Sequence, residues 1–231
     1  MSSIEILDSN LHREINIDFK AARRGPRREL IPVVISEFHP LMFHYPIVFV
    51  KDQDTGEFTC SILLGVSAAA NLLDQRDLVS DEGLPLNIRR LPLVAVAAPE
   101  GEGQPLIGIN RTSPGVNHGN GTGDYIFQGK SERFESAVAA LVELYNGFEQ
   151  TRNYVKKVLE LDLISKLQAE IRYTDKPSLT LDGLYGIDPK KIALISESNS
   201  KSKDEFLAIA SYVYAQHFSL YNMKKLATLI S

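Results

Sequence analysis

Residues 45–65 read YPIVFVKDQDTGEFTCSILLG, and this stretch decides the fold. Two runs rich in β-branched and aromatic residues, YPIVFVKD and FTCSILLG, flank a turn at Asp54-Thr55-Gly56, the pattern of an antiparallel hairpin in a half-buried sheet. Tyr45-Pro46 opens the first run, where the missing N–H of proline falls outside the ladder. Upstream, IPVVISE over 31–37 predicts another strand, ended by Glu37. Downstream, a short helix is expected over 67–73, then strands at 91–98 and 105–109 joined by the turn PEGEGQ. The first half of the chain therefore reads mostly as sheet.

The periodicity changes after TSPGVNHGNGTG at 112–123, a glycine-rich composition that favours a flexible loop. Ser131 stands where it can cap a helix whose inward stripe is Phe134, Val138, Leu141, Val142 and Tyr145. Gly147 is expected to bend or interrupt that helix before a second apolar segment at 153–163. Strand-like pieces at 167–173 and 179–181 follow, and Asp188-Pro189 opens a short helix. A polar loop at 196–203 then leads into helical spacing over 205–230. The predicted class is α+β, an antiparallel sheet in the N-terminal half packed with helices from the C-terminal half. Residues 1–30 read as a polar segment, with Arg23, Arg24, Arg27 and Arg28 on a solvated surface and Gly25-Pro26 breaking any helix. Residues 31–231 read as one domain with a flexible loop at 112–123.

A chain of 231 residues, 44% hydrophobic and 23% charged, buries a substantial core without staples. Its single cysteine, Cys60, excludes an intrachain disulfide and a four-cysteine zinc site, and fits a reducing compartment. The apolar run at 91–98 is far short of the ~20 residues of a membrane-spanning helix. The acids near the start are unlike a secretory signal, so a cytoplasmic location is expected. A net charge of −4 argues against a dedicated nucleic-acid grip, which needs clustered Lys and Arg.

Three chemistries suggest themselves, and the residues argue against the first two. Gly129-Lys130-Ser131 suggests a phosphate loop, but the glycine required five positions earlier is Asp124, whose carboxylate repels phosphate. Cys60 lies in an apolar strand, where a thiolate is disfavoured, and no serine sits in a G-x-S-x-G elbow. His12-Arg13-Glu14 has the H-x-E spacing of an iron site, with Glu37 and His39 as a second pair. This leaves a metal-dependent oxygenase as the alternative reading, through His12, Glu14, Glu37 and His39. No distal histidine follows at the end of a later strand to complete it. No cofactor is expected.

The more informative constellation is distributed. Glu37 ends one strand, Tyr45 opens the next, Asn71 follows the hairpin, and Arg89 and Arg90 enter a later strand. Charged groups at neighbouring strand ends either pair and fix strand order or bind a peptide carboxylate.

At these residues the chain resembles the SapC family of bacterial proteins. The resemblance runs through His12-Arg13, Ile15-Asn16-Ile17 with Asp18-Phe19, Ile31-Pro32-Val33 with Glu37-Phe38, and Tyr45-Pro46-Ile47-Val48-Phe49. It continues through Leu64-Gly65, Asn71-Leu72-Leu73, Arg89-Arg90-Leu91-Pro92-Leu93, the Thr151 helix, Leu181-Asp182-Gly183-Leu184, and Phe218-Ser219-Leu220 before Leu226. Two departures stand out. Ala69-Ala70 precedes Asn71-Leu72 where the family has Gly-Glu, and the chain has no Trp, reading Glu82 to Asn87 where the family carries a Trp and a Tyr-Ile-Pro segment. The resemblance implies an accessory protein that binds a peptide or partner protein. Similar proteins are encoded beside iron-dependent hydroxylases, flavin-dependent halogenases and TonB-dependent receptors, which implies a peptide-modification or uptake system.

Overall fold

The computed structural model describes residues 3–24, 28–67, 70–75, 81–98, 104–119, 121, 123–171, 179–197 and 201–229. The Gly25-Pro26 break, residues 99–103 of the PEGEGQ turn, residues 172–173 of the 167–173 strand and the centre of the 196–203 loop lie outside these. The class is α+β, with antiparallel sheets mostly in the N-terminal half and helices after them. The chain divides into two compact units, each made of separate stretches: Met1–Arg27 with Arg76–Asn146, and Arg28–Gln75 with Gly147–Ser231.

In the second unit the hairpin forms as its pattern dictates. Strands Ile47–Lys51 and Phe58–Leu63 pair antiparallel with Phe49 opposite Cys60. Asp52 closes the turn by accepting from the N–H groups of Asp54 and Thr55, and Gly56 takes the positive φ. Ile164–Lys166, Leu184–Ile187 and Leu30–Pro32 complete a five-stranded sheet in which Ile47–Lys51 is the central strand. Against it lie Phe38, Tyr154 and Tyr212. Tyr154 meets Phe38 edge-on at 5.5 Å and lies parallel to Phe49 at 6.3 Å. Its hydroxyl donates to Gln216 Oε1 at 2.8 Å, which satisfies the polar end of a buried ring.

Three local expectations are corrected in this unit. IPVVISE is a strand only over Leu30–Pro32; Ile35–Glu37 is a turn of 3-10 helix because the Glu37 carboxylate accepts from the Val34 N–H at 3.0 Å, drawing the backbone out of the ladder. The expected helix at 67–73 is replaced by short paired strands, Gly65–Ser67 and Ala70–Asn71, and a 3-10 turn, Leu72–Gln75. Asn71 causes the change, donating to the Arg28 carbonyl and accepting from the Leu73 N–H. The final segment is helical but broken into Lys201–Leu207, Ala210–Ser219 and Met223–Thr228.

The helix Glu132–Glu160 runs uninterrupted through Gly147. Ser131 caps it, its Oγ accepting from the Phe134 N–H at 3.1 Å. Gly147 provides closeness in place of a bend: a Cβ there would stand 2.7 Å from Cβ of Val34. One turn on, the Thr151 hydroxyl accepts from the Ile35 N–H at 3.0 Å and donates to the Gly147 carbonyl at 2.7 Å.

The first unit holds two three-stranded antiparallel sheets. Leu106–Asn110 is central between Ile4–Ile6 and Leu93–Val96, and Ile15–Ile17 is central between Val116–His118 and Asp124–Tyr125. The N-terminal segment is thus no polar surface: Ile15, Ile17, Phe19 and Ala22 join Leu93, Ile109, Ala137 and Leu141 in one core. The glycine-rich stretch also carries a strand, Val116–His118. Gly115 precedes it with φ +84°, and a Cβ there would fall 2.3 Å from the Asp18 carbonyl oxygen.

Helix propensity alone favours Gly147→Ala by about 1 kcal/mol. Here the added methyl meets a β-branched side chain, and overpacking costs roughly 1–3 kcal/mol. Gly147→Ala is therefore expected to lower the urea midpoint in the wild-type background and to raise it in a Val34→Ala background.

Candidate functional site

The five residues read from sequence as binding groups fall in both units. Glu37, Tyr45 and Asn71 belong to the second. Glu37 is spent on the Val34 turn, Asn71 on the Arg28 and Leu73 backbone, and Tyr45 is fully buried. Arg89 and Arg90 belong to the first. Arg90 donates through Nε to Asn87 Oδ1 at 3.0 Å and through Nη1 to the Leu93 carbonyl at 2.6 Å, clamping the start of the strand Leu93–Val96. Arg89 ends a short helix, Leu86–Arg89, with Nη2 3.6 Å from Asp81.

Asp81 is a hub within that unit. One carboxylate oxygen accepts from Arg23 Nη2 at 2.6 Å; the other accepts from the Ser136 hydroxyl and faces Arg89. Arg23, expected on the surface, has a side chain only 1% exposed, while Asp81 keeps 34%. Burial raises the Asp81 carboxyl, but the Ser136 hydroxyl and the two guanidiniums outweigh it and hold the group below the ordinary carboxylate range. Burial pulls the Arg23 guanidinium down against the attraction of Asp81. The arginines therefore neutralise a carboxylate that ties the helix Phe19–Arg23 to the start of the long helix.

The metal reading loses its members one by one. His12 is buried with both ring nitrogens engaged: Nδ1 accepts from the Asp8 N–H at 2.9 Å, which leaves Nε2 to donate to Glu5 at 3.0 Å. Glu14 lies 3.9 Å from His118 on an exposed edge, and His39 packs its ring 5.6 Å from that of Tyr212. Among the described residues no three His, Cys, Asp or Glu side chains are grouped to hold a metal ion. Cys60 is buried, and burial pushes its thiol far up, so it is core material. Asp124 accepts from Ser131 and from Arg133, placing a carboxylate at the helix start where a phosphate would have to lie.

Among the described residues of the first unit, two recesses bear on function. The larger, about 280 Å³, is ringed by Asp18, Lys20, Asp124 and Arg133, but Asp18 caps its own helix at Ala21 and Asp124 is held by Ser131 and Arg133. The smaller, about 70 Å³, is an apolar groove lined by Ala95, Leu106, Ile107, Leu141, Val142 and Tyr145. Val142 and Tyr145, expected inside, are 49% and 48% exposed. The reason is local: Ala95 stands opposite Ile107 in the register, and its methyl does not reach far enough to cover the helix. The strand Leu93–Val96 that carries Ala95 pairs only with Leu106–Asn110 among the described residues. Sequence reasoning missed this groove because its lining has the spacing of a core stripe; the small residue inside an apolar strand was the available signal.

The SapC family profile matches residues 7–226, so the chain belongs to the SapC family. Comparison with curated proteins finds no match, and neither does comparison with solved structures. The matched span includes stretches of both units, and the fold and groove described above are read on this chain alone.

The Asp81 hub predicts a pH dependence. A carboxyl depressed in the folded state stabilises fully above its unfolded value near 4, and this contribution is lost as pH falls through the folded value. Asp81→Asn is expected to cost about 3 kcal/mol at neutral pH, the lower end for breaking a buried pair because Asp81 is partly exposed. It should also flatten the acid limb of stability below about pH 4, measured by urea unfolding across pH.

Proposed function

We propose that this chain is an accessory binding protein without a reaction of its own, holding an extended, apolar segment of a peptide or partner protein in the first unit. The observation that carries the reading is the groove beside a strand edge that has no ladder partner among the described residues. An added strand gains main-chain hydrogen bonds at Ala95, beyond the Leu93 groups that Arg90 already holds, and alternate apolar side chains enter the space between Ala95, Leu106, Val142 and Tyr145. Exposed aliphatic and aromatic side chains gathered beside a strand edge are the usual anchors of such recognition. Arg90 contributes by holding both the N–H and the carbonyl of Leu93, which fixes the backbone next to Ala95. A peptide-modifying enzyme such as a hydroxylase or halogenase, or a component of a TonB-linked uptake system, is the kind of partner the family resemblance suggests.

Peptides selected from a random display library on the purified protein are expected to be apolar and to shift the backbone amide resonances of Ala95, Leu106 and Tyr145. Ala95→Leu fills the groove from an exposed position and should weaken those peptides about tenfold, some 1.4 kcal/mol, with the melting temperature unchanged. Selected peptides that shift resonances elsewhere, or that bind Ala95→Leu equally well, would refute the reading.

A further inference from the structure

Residues 206–231 contain no Asp or Glu, and neither do residues 38–50, in a chain with 29 acids and a net charge of −4. The second unit brings these two stretches together. Asn222 Nδ2 donates to the Met42 carbonyl at 2.6 Å, Lys225 Nζ donates to the Phe43 carbonyl at 2.8 Å, and the Tyr212 ring lies 6.4 Å from Phe38. What they expose is aromatic. Tyr221 is 69% exposed, Phe43 65% and Phe218 51%, and Tyr214 stacks on Phe218 at 6.1 Å. Tyr214, Phe218 and Tyr221 follow at i, i+4 and i+7, which puts them along one side of the helical segment. Among the described residues of these two stretches the Lys and His side chains are the exposed Lys224, Lys225 and His39, with His44 and His217 half-buried.

This face inverts the charge of the chain that carries it. A net-negative protein approaches an anionic surface most favourably through a patch that carries lysines and no acids, and short-range apolar burial then adds to the attraction. The two most exposed rings also stand at turns. Phe43 lies between the helix Phe38–Leu41 and the strand Ile47–Lys51, and Tyr221 lies in the 3-10 turn Leu220–Asn222. Projecting rings flanked by lysines enter a lipid headgroup layer without needing a matching cavity, because the bilayer yields around them. We infer that this face docks on an anionic lipid bilayer, with Phe43, Phe218 and Tyr221 in the interfacial layer and Lys224 and Lys225 at headgroup level. No helix of the described residues is long and apolar enough to cross a membrane, and the docking is peripheral.

The test is sedimentation of the full chain with vesicles of phosphatidylcholine alone or mixed equally with phosphatidylglycerol. Binding to the anionic vesicles should exceed binding to the neutral ones by about tenfold or more and fall in high salt. Phe43→Ser with Tyr221→Ser should abolish it, and Lys224→Gln should reduce it, each with an unchanged circular dichroism spectrum and melting temperature. Tyr145→Ala, in the peptide groove, should leave it intact, which separates this inference from the reading above. If those variants do not fold, the lipid and salt dependence of the wild-type chain decides. Equal binding to neutral vesicles, or no vesicle binding, overturns the inference. Capture by an immobilised glutamate–tyrosine copolymer without vesicle binding also overturns it, and assigns the face to an acidic protein partner.

Discussion

Gly147 and Thr151 lie one turn apart on the long helix, and the second unit is built on what closes against them. Val34 takes the space that a side chain at 147 would fill, and the Thr151 hydroxyl serves both the Ile35 N–H and the Gly147 carbonyl. The Glu37 carboxylate completes the turn from the other side by accepting from Val34. A buried backbone segment with no ladder partner would otherwise strand its N–H groups, at about 1–3 kcal/mol each. With the turn seated, Phe38 meets Tyr154, which lies against Phe49 of the central strand. Helix, turn and sheet are therefore joined through a glycine, a threonine and a glutamate.

The parts of this fold that were legible in sequence are those with a local cause. The hairpin at 47–63 follows from two β-branched runs and an Asp-containing turn, and the start of the long helix follows from Ser131 and the apolar spacing after it. The parts that were not legible have partners far away in the chain. Nothing near Gly147 announces Val34, so a helical glycine reads as a break although it is a contact. Ile15 and Ile17 sit among charged residues and read as surface, yet their strand lies between Val116–His118 and Asp124–Tyr125, about a hundred residues on. Asn71 turns an alanine-rich stretch away from helix by bonding the carbonyl of Arg28.

The same distinction explains the candidate site. Polar residues inside apolar stretches attract a functional reading, but burial requires such groups to find partners, and the nearest unmet need is usually the backbone. Glu37, Asn71 and Arg90 each meet one, and Arg89 faces the carboxylate that neutralises buried Arg23. His12, the first member of the metal reading, is held by a backbone N–H and by Glu5. The groove is marked instead by an absence, the small Ala95 where a larger residue would have covered Val142 and Tyr145. A side chain that is missing leaves a weaker trace in sequence than one that is present.

Each unit is composed of two stretches, so the chain passes from one to the other at residues 27–28, 75–76 and 146–147, the last of these inside the helix Glu132–Glu160. Domains that fold alone meet at linkers where backbone order can be lost freely. Here residues 146 and 147 lie inside a helix. Leu141 belongs to one core and Val155 and Val158 are buried in the other unit, all on this helix. Each stretch of the helix therefore supplies buried apolar side chains to its own unit, and truncating either stretch would remove part of that unit's core. The SapC match across residues 7–226 covers stretches of both units and isolates neither.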